Sequence, residues 1–120
     1  MTSVLVIDDN KDLLEVAVDF FVSFGLNCLQ ACDGQEGLQI LAVDKSVTAV
    51  LCDIEMPTLG GLEFLVQARN QYKELPIFLM TGRPDQSEIK ILKLGANALF
   101  LKPYIDFERV AARAMQLAIS

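Results

Sequence analysis

The chain contains no histidine and only three cysteines in 120 residues. Cys28, Cys32 and Cys52 lack metal-ligand spacing, and with no histidine to complete a set, a Cys/His metal centre is excluded. Cys28 and Cys32 fall in one run that reads as a strand. Four residues at about 3.3 Å each hold them about 13 Å apart, beyond disulfide reach. Reduced, buried thiols in a cytoplasmic protein are therefore expected. Positive charge is also scarce: Lys and Arg total 10 against 16 Asp and Glu, a net charge of −6. That balance argues against a direct grip on nucleic acid, where a basic face supplies most of the affinity, and against an anionic membrane surface. No apolar segment approaches membrane-spanning length. The one after Met1 ends at Asp8-Asp9, too early for a secretory signal. No G-x-x-x-x-G-K-[ST] stretch exists, so a P-loop nucleotide site is out.

What remains is a globular composition, 52% apolar and 22% charged, of a length suited to one domain over residues 1–120. Met1 leads directly into the first strand, which favours an N-terminal or complete protein. Short apolar runs alternate with helical patterns. The runs are Val4-Leu5-Val6-Ile7, about Cys28 to Cys32, Ala49-Val50-Leu51-Cys52, Ile77-Phe78-Leu79-Met80 and Leu99-Phe100-Leu101. The first helix is expected from about Asn10 to Phe24, with Leu13, Val16, Ala17, Phe20, Phe21 and Phe24 on its apolar face and Gly25 as its C-cap. Asp33 and Glu36 read as a capping box for a helix packing Leu38, Leu41 and Ala42. The third helix presents Leu62, Leu65 and Ala68. A second capping box, Asp85 with Glu88, opens a fourth carrying Ile89, Leu92 and Ile91, ended by Gly95. The last starts near Asp106 and shows Phe107, Val110, Ala111, Ala114, Leu117 and Ala118 at helical spacing.

The order is (βα) five times. Strands apolar throughout are buried on both faces, and right-handed crossovers put helices on both sides of a parallel sheet. The chain is too short for an eight-fold barrel. An open, doubly wound α/β sheet results, and such sheets bind ligands at the carboxyl ends of their strands. Four of the five runs are followed there by chemistry-bearing residues: Asp8-Asp9, Asp53, Thr81 and Lys102. Three carboxylates at close quarters repel one another and are poorly tolerated without a cation. The expectation is a divalent-metal site built to handle phosphate.

These residues resemble a known family, the receiver domains of two-component response regulators. The resemblance rests on Asp8-Asp9 after the first strand, Asp53-Ile54-Glu55-Met56-Pro57 after the third, Thr81-Gly82 after the fourth and Lys102-Pro103 after the fifth. It covers essentially the whole chain. It implies a five-stranded flavodoxin-like sheet of order 2-1-3-4-5. It implies Asp53 as phosphoacceptor, with Mg²⁺ (or Mn²⁺ in its place) held by Asp9, Asp53 and the backbone carbonyl of Glu55, and Asp8 acting through metal-bound water. Lys102 and Thr81 would meet the phosphoryl oxygens, a cis bond before Pro103 would aim the ammonium, and Gly61 would allow the turn after the Asp53 loop. A sensor histidine kinase or histidine phosphotransfer protein would dock near the first helix and the loop after the fifth strand. Output to a downstream domain or protein, or a homodimer, would use the face of the fourth helix, fifth strand and fifth helix. The domain would be a switch and not an enzyme, with self-phosphorylation and autodephosphorylation as its only reactions.

Three departures stand out. Leu99 occupies a place where many receivers carry an aromatic ring, so output is expected to run through shifts of the fourth helix. Gly60 stands where Asp is frequent and gives a looser turn. Glu55 and Arg83 flank the phosphoryl position, and a salt bridge between them would shield it and lengthen the phosphoryl state. Rival readings are weaker. Asp53-Ile54-Glu55 only half mimics the signature of a haloacid-dehalogenase-type phosphatase, and the chain has no cap domain. A flavodoxin would need a hydroxyl- and Gly-rich phosphate loop where Asp8-Asp9-Asn10 stands. A degenerate receiver serving only as a protein-binding module is the remaining alternative.

Overall fold

The computed structural model describes the backbone of residues 2–119 and the side chains of residues 2–116. Ten elements alternate along it: β1 Ser3–Ile7, α1 Lys11–Ser23, β2 Asn27–Ala31, α2 Gly34–Val43, β3 Val47–Asp53, α3 Gly61–Gln71, β4 Ile77–Thr81, α4 Glu88–Lys93, β5 Ala98–Leu101 and α5 Phe107–Ile119. Every strand pair is parallel, and the sheet order is β2-β1-β3-β4-β5. The flavodoxin-like order implied by the resemblance to receiver domains is the order observed.

Alternation along each strand sends neighbouring side chains to opposite faces. Val4, Val6, Leu51, Phe78 and Met80 join the layer under α1 and α5. Leu5, Ile7, Val50, Cys52, Ile77 and Leu79 join the layer under α2, α3 and α4. Both layers are apolar, which is why β1, β4 and the end of β3 read as unbroken apolar runs, while the edge strand β2 is only partly buried and exposes Gln30. Pairing register then fixes the functional edge. Ile7 lies opposite Cys52, Asp53 opposite Met80 and Thr81 opposite Leu101. Asp8, Asp53, Thr81 and Lys102 therefore emerge side by side at the carboxyl end of the sheet.

Local differences from expectation have physical causes. The buried stripe of α1 is Leu14, Ala17 and Phe21, while Val16 is 56% and Phe24 38% exposed. Phe107 of α5 packs its ring 5.6 Å from Phe20 and 5.8 Å from Phe21, which turns the contact face one residue away from the one expected. Ala42 of α2 is exposed. The burial falls instead on Leu41, Gly34 and Gly37, where the helix backbone lies close to α3 and β1. In the six-residue α4 only Ile91 is buried, with Ile89 and Leu92 exposed; so short a helix offers one side chain to the core. Phe64 joins Leu65 and Ala68 in the buried face of α3. Leu117 and Ala118 of α5 lie outside the described side chains.

The cysteines are free, but only Cys52 is buried. Cys28 is half-buried, and Cys32, one residue beyond β2, is exposed. Burial pushes the Cys28 thiol up to about 11. Asn10 caps α1, accepting from the amides of Asp12 and Leu13. Asp33 caps α2, and Glu36 reaches back to the Cys32 amide at 3.0 Å. The second capping box does not form as expected. Ser87 caps α4 by accepting from the Lys90 amide, while Asp85 pairs with Arg83.

Candidate functional site

Asp53, the last residue of β3, is 4% exposed, and Asp8 is fully buried. Asp9 is exposed beside them. One carboxylate oxygen from each of these three lies within 4.8 Å of the others. Lys102 Nζ donates to Asp8 Oδ2 at 2.8 Å and lies 3.3 Å from Asp53 Oδ1. The Asn10 amide donates to Asp8 Oδ1 at 2.9 Å, so both oxygens of Asp8 are engaged. Asp53 Oδ1 is also buried, and the Lys102 ammonium beside it is its sole cationic neighbour among the described residues, too poorly aligned for a full hydrogen bond.

The electrostatics follow. Burial and the Asp8 charge push the Asp53 carboxyl up to about 6, against the pull of Lys102. Burial draws the Lys102 ammonium down, but its hydrogen bond to Asp8 and the charges of Asp53 and Asp8 outweigh this and hold it above its ordinary value. Burial next to Asp53 and Asp8 drives the Cys52 thiol well up, so it is inert. Three clustered carboxylates offering hard oxygen donors fit a divalent cation of the Mg²⁺ or Mn²⁺ kind.

Thr81 ends β4 and is 2% exposed. Its hydroxyl donates to the Glu55 carboxylate, 2.9 and 2.8 Å from the two oxygens. The Gly82 amide and Gln86 Nε2 donate to the same carboxylate at 3.2 and 3.3 Å. Glu55 was expected at this edge for its backbone carbonyl; its side chain was expected to meet Arg83. That salt bridge is absent. Arg83 pairs with Asp85 at 3.2 Å, because the turn after Thr81 brings that nearer carboxylate alongside it. The long-lived phosphoryl state loses its geometric basis with it. Gln86 was not foreseen at all, and a lone polar loop residue gives no sequence signal that would have found it.

The supporting residues are also at this edge. The Lys102–Pro103 peptide is cis. Leu99 is half-buried against the α4 side of the sheet. Gly61 has no positive φ. What it supplies is space: a Cβ there would strike the Asp53 carbonyl oxygen and come within 2.8 Å of Ile54 Cα. Gly60 stands at the N-cap of α3 with no side chain to cap it.

Comparison with known proteins places the chain in a family. Residues 4–114 match the family described as the response regulator receiver domain. Transcriptional regulatory protein CpxR of Klebsiella pneumoniae is 33% identical over 112 residues, covering 92% of this chain and 47% of that protein. Regulator of RpoS of Escherichia coli is 29% identical over 108 residues, covering 89% of this chain and 32% of that one. The chain thus spans about half the length, or less, of these curated relatives. The receiver domain of Francisella response regulator 1452 superposes with TM-score 0.83 at 26% identity, covering 98% of this chain and 96% of that one. Response regulator protein TrrA of Thermotoga maritima, solved in complex with Mg²⁺ and BeF, has TM-score 0.80 at 24% identity, covering 98% of this chain and 99% of that one. The latter likeness is one of fold. By the family match over most of its length, the chain belongs to the receiver domains of two-component response regulators.

Proposed function

We propose that Asp53 accepts a phosphoryl group from a phosphohistidine on a sensor histidine kinase or histidine phosphotransfer protein. One carboxylate oxygen attacks phosphorus. The new O–P bond forms as the N–P bond breaks, and the imidazole leaves with the electron pair and takes up a proton. The observation that carries this reading is the Asp53 carboxylate itself, buried at the end of β3 beside Asp8 and Asp9, with the Lys102 ammonium 3.3 Å from its Oδ1.

Asp9, Asp53 and the Glu55 backbone carbonyl would hold Mg²⁺, with Mn²⁺ as a substitute. Asp8, whose oxygens already serve Lys102 and the Asn10 amide, would act through water. The metal supplies positive charge against the crowded carboxylates and the phosphoryl oxygens. Lys102 would pair with a phosphoryl oxygen as a point charge, and the Thr81 hydroxyl would donate to another. Self-phosphorylation and autodephosphorylation are the only reactions implied.

The donor would dock over the open cavity of about 490 Å³ lined by Leu13, Val16, Pro103, Ile105 and Phe107. Output would leave by the α4-β5-α5 face, where Ile89, Leu92, Leu101 and Tyr104 are exposed, toward an output domain, a partner or a second copy. A cytoplasmic setting follows from the same reading. Among the described residues no helix is long and apolar enough to cross a membrane.

The test is a Mg²⁺ titration followed by amide NMR shifts, then addition of beryllofluoride. Amides at 8–10 and 53–55 should move with metal, and those of Thr81 and Lys102 only once beryllofluoride is added. Asp9→Asn should weaken the metal by about tenfold. Shifts confined to other surfaces contradict the reading.

A further inference from the structure

A threonine hydroxyl carries one proton and donates one hydrogen bond at a time. Here the Thr81 hydroxyl donates to the Glu55 carboxylate, and the Thr81 oxygen accepts from the Arg83 amide at 3.0 Å. The hydroxyl is fully committed away from Asp53. The same carboxylate gathers the Gly82 amide and the Gln86 side chain. Three donors from the end of β4 and the loop into α4 thus converge on one anion, and hydrogen bonds to an ionised acceptor are the stronger kind. Among the described residues Glu55 forms no ion pair; the nearby cation, Arg83, is held by Asp85. At its other end α4 is fixed: Ile91 is buried, and the Arg69 guanidinium grips the Gly95 carbonyl at 3.2 and 2.7 Å.

We infer that the Glu55 carboxylate is a latch that holds Thr81 off the phosphoryl position and ties the loop before α4 down through Gln86 until Asp53 is loaded. This rests on the phosphoacceptor reading above. A phosphoryl group on Asp53 competes for the Thr81 proton and repels a carboxylate two residues along the chain. When Glu55 leaves, Gly82 and Gln86 lose their acceptor together, so one event frees the whole loop. Glu55 is a positioning residue, acting through Thr81 and Gln86. It gives α4 a readout of the site that does not depend on Leu99, whose side chain makes no hydrogen bond.

Two arms test the latch on the full chain. The first is amide hydrogen exchange without metal or phosphoryl analogue. Glu55→Ala should speed exchange at Gly82 and Arg83 by about tenfold or more and leave α1 and α5 unchanged, showing that the fold is intact. Glu55→Gln, whose amide oxygen still accepts from Thr81, should restore most of the protection. Unchanged exchange at Gly82 and Arg83 in Glu55→Ala overturns the latch. The second arm titrates beryllofluoride with saturating Mg²⁺. Glu55→Ala should bind about tenfold more tightly than wild type. In a Thr81→Ala background the same change should gain less than about threefold, since no Thr81–Glu55 bond remains to break. Equal gains in both backgrounds mean that Glu55 acts through charge alone and overturn the latch. Failure of every variant to bind beryllofluoride overturns the phosphoacceptor reading, and with it the switching role of Glu55, even where the exchange arm shows the hydrogen bonds.

Discussion

Lys102 Nζ donates a 2.8 Å hydrogen bond to Asp8 Oδ2, joining residues 94 positions apart. Asp8 is completely buried, while the Lys102 side chain is 22% exposed. Removing one partner of such a pair strands the other's charge in a poor solvent, which is worse than never having the pair. Lys102→Met should therefore destabilise the metal-free protein by about 2–3 kcal/mol. Asp8→Asn added to that variant should recover at least half of the loss. Urea denaturation in chelator measures both; a Lys102→Met protein as stable as wild type would show that the pair holds nothing.

Asp53 carries the opposite liability. Its carboxyl is raised to about 6, chiefly by burial and then by the Asp8 charge. The folded state binds this proton more tightly than the unfolded chain does. The group's contribution is therefore fully present below the ordinary carboxylate range and is lost as pH rises through about 6. Asp53→Asn removes the ionised form. In chelator it should stabilise the protein by about 1–2 kcal/mol above neutrality. The gain should fade toward pH 4. Denaturation midpoints of the two proteins across that range give the answer, and a gain that grows on acidification would reverse the sign.

The backbone beneath Asp53 leaves no room for a Cβ at Gly61, since the atoms in the way are the Asp53 carbonyl oxygen and Ile54 Cα. Backbone cannot step aside as a flexible side chain can. Gly61→Ala should cost about 2–4 kcal/mol, while Gly82→Ala, with nothing within 4 Å of a new Cβ, should stay near wild type. Equal effects at the two glycines would remove the steric explanation.

Arg69 joins the end of α3 to the turn between α4 and β5. Its guanidinium donates to the carbonyls of Tyr72, Lys73, Leu75 and Gly95 and to Asn97 Oδ1. Arg69→Met should lose about 2–3 kcal/mol through carbonyls left without a donor. Arg69→Lys should recover less than half, because a single ammonium cannot span both groups of acceptors. Thermal denaturation and exchange at Ala96 and Asn97 report the effect.

The strands were legible because a sheet buried largely on both faces writes apolar runs, and chemistry-bearing residues followed four of the five; the strand order came with the resemblance those residues carry, since apolar runs do not encode it. The residues at the site's edge were legible for the same reason: Asp8, Asp53 and Thr81 sit at or directly after strand ends, and register does the rest. Helix faces were less legible. Both residues 13 and 14 of α1 are leucine, and periodicity favoured Leu13, whereas Leu14 is the one buried and Leu13 is only partly so. In the loops, Asp85 and Ser87 both suit a cap, and only the turn geometry decides that Asp85 goes to Arg83. The Glu55 carboxylate was expected to meet Arg83, and its actual partners were invisible for a similar reason. Its partners Thr81 and Gln86 stand 26 and 31 residues away, and no local pattern records such a meeting.

The most direct test of Asp53 as phosphoacceptor is intact mass after incubation with acetyl phosphate and Mg²⁺, comparing wild type with Asp53→Asn, each with and without chelator. The expected result is one added phosphoryl group on wild type alone, lost when the metal is removed. An adduct of the same size on Asp53→Asn, or one formed equally well in chelator, would contradict it.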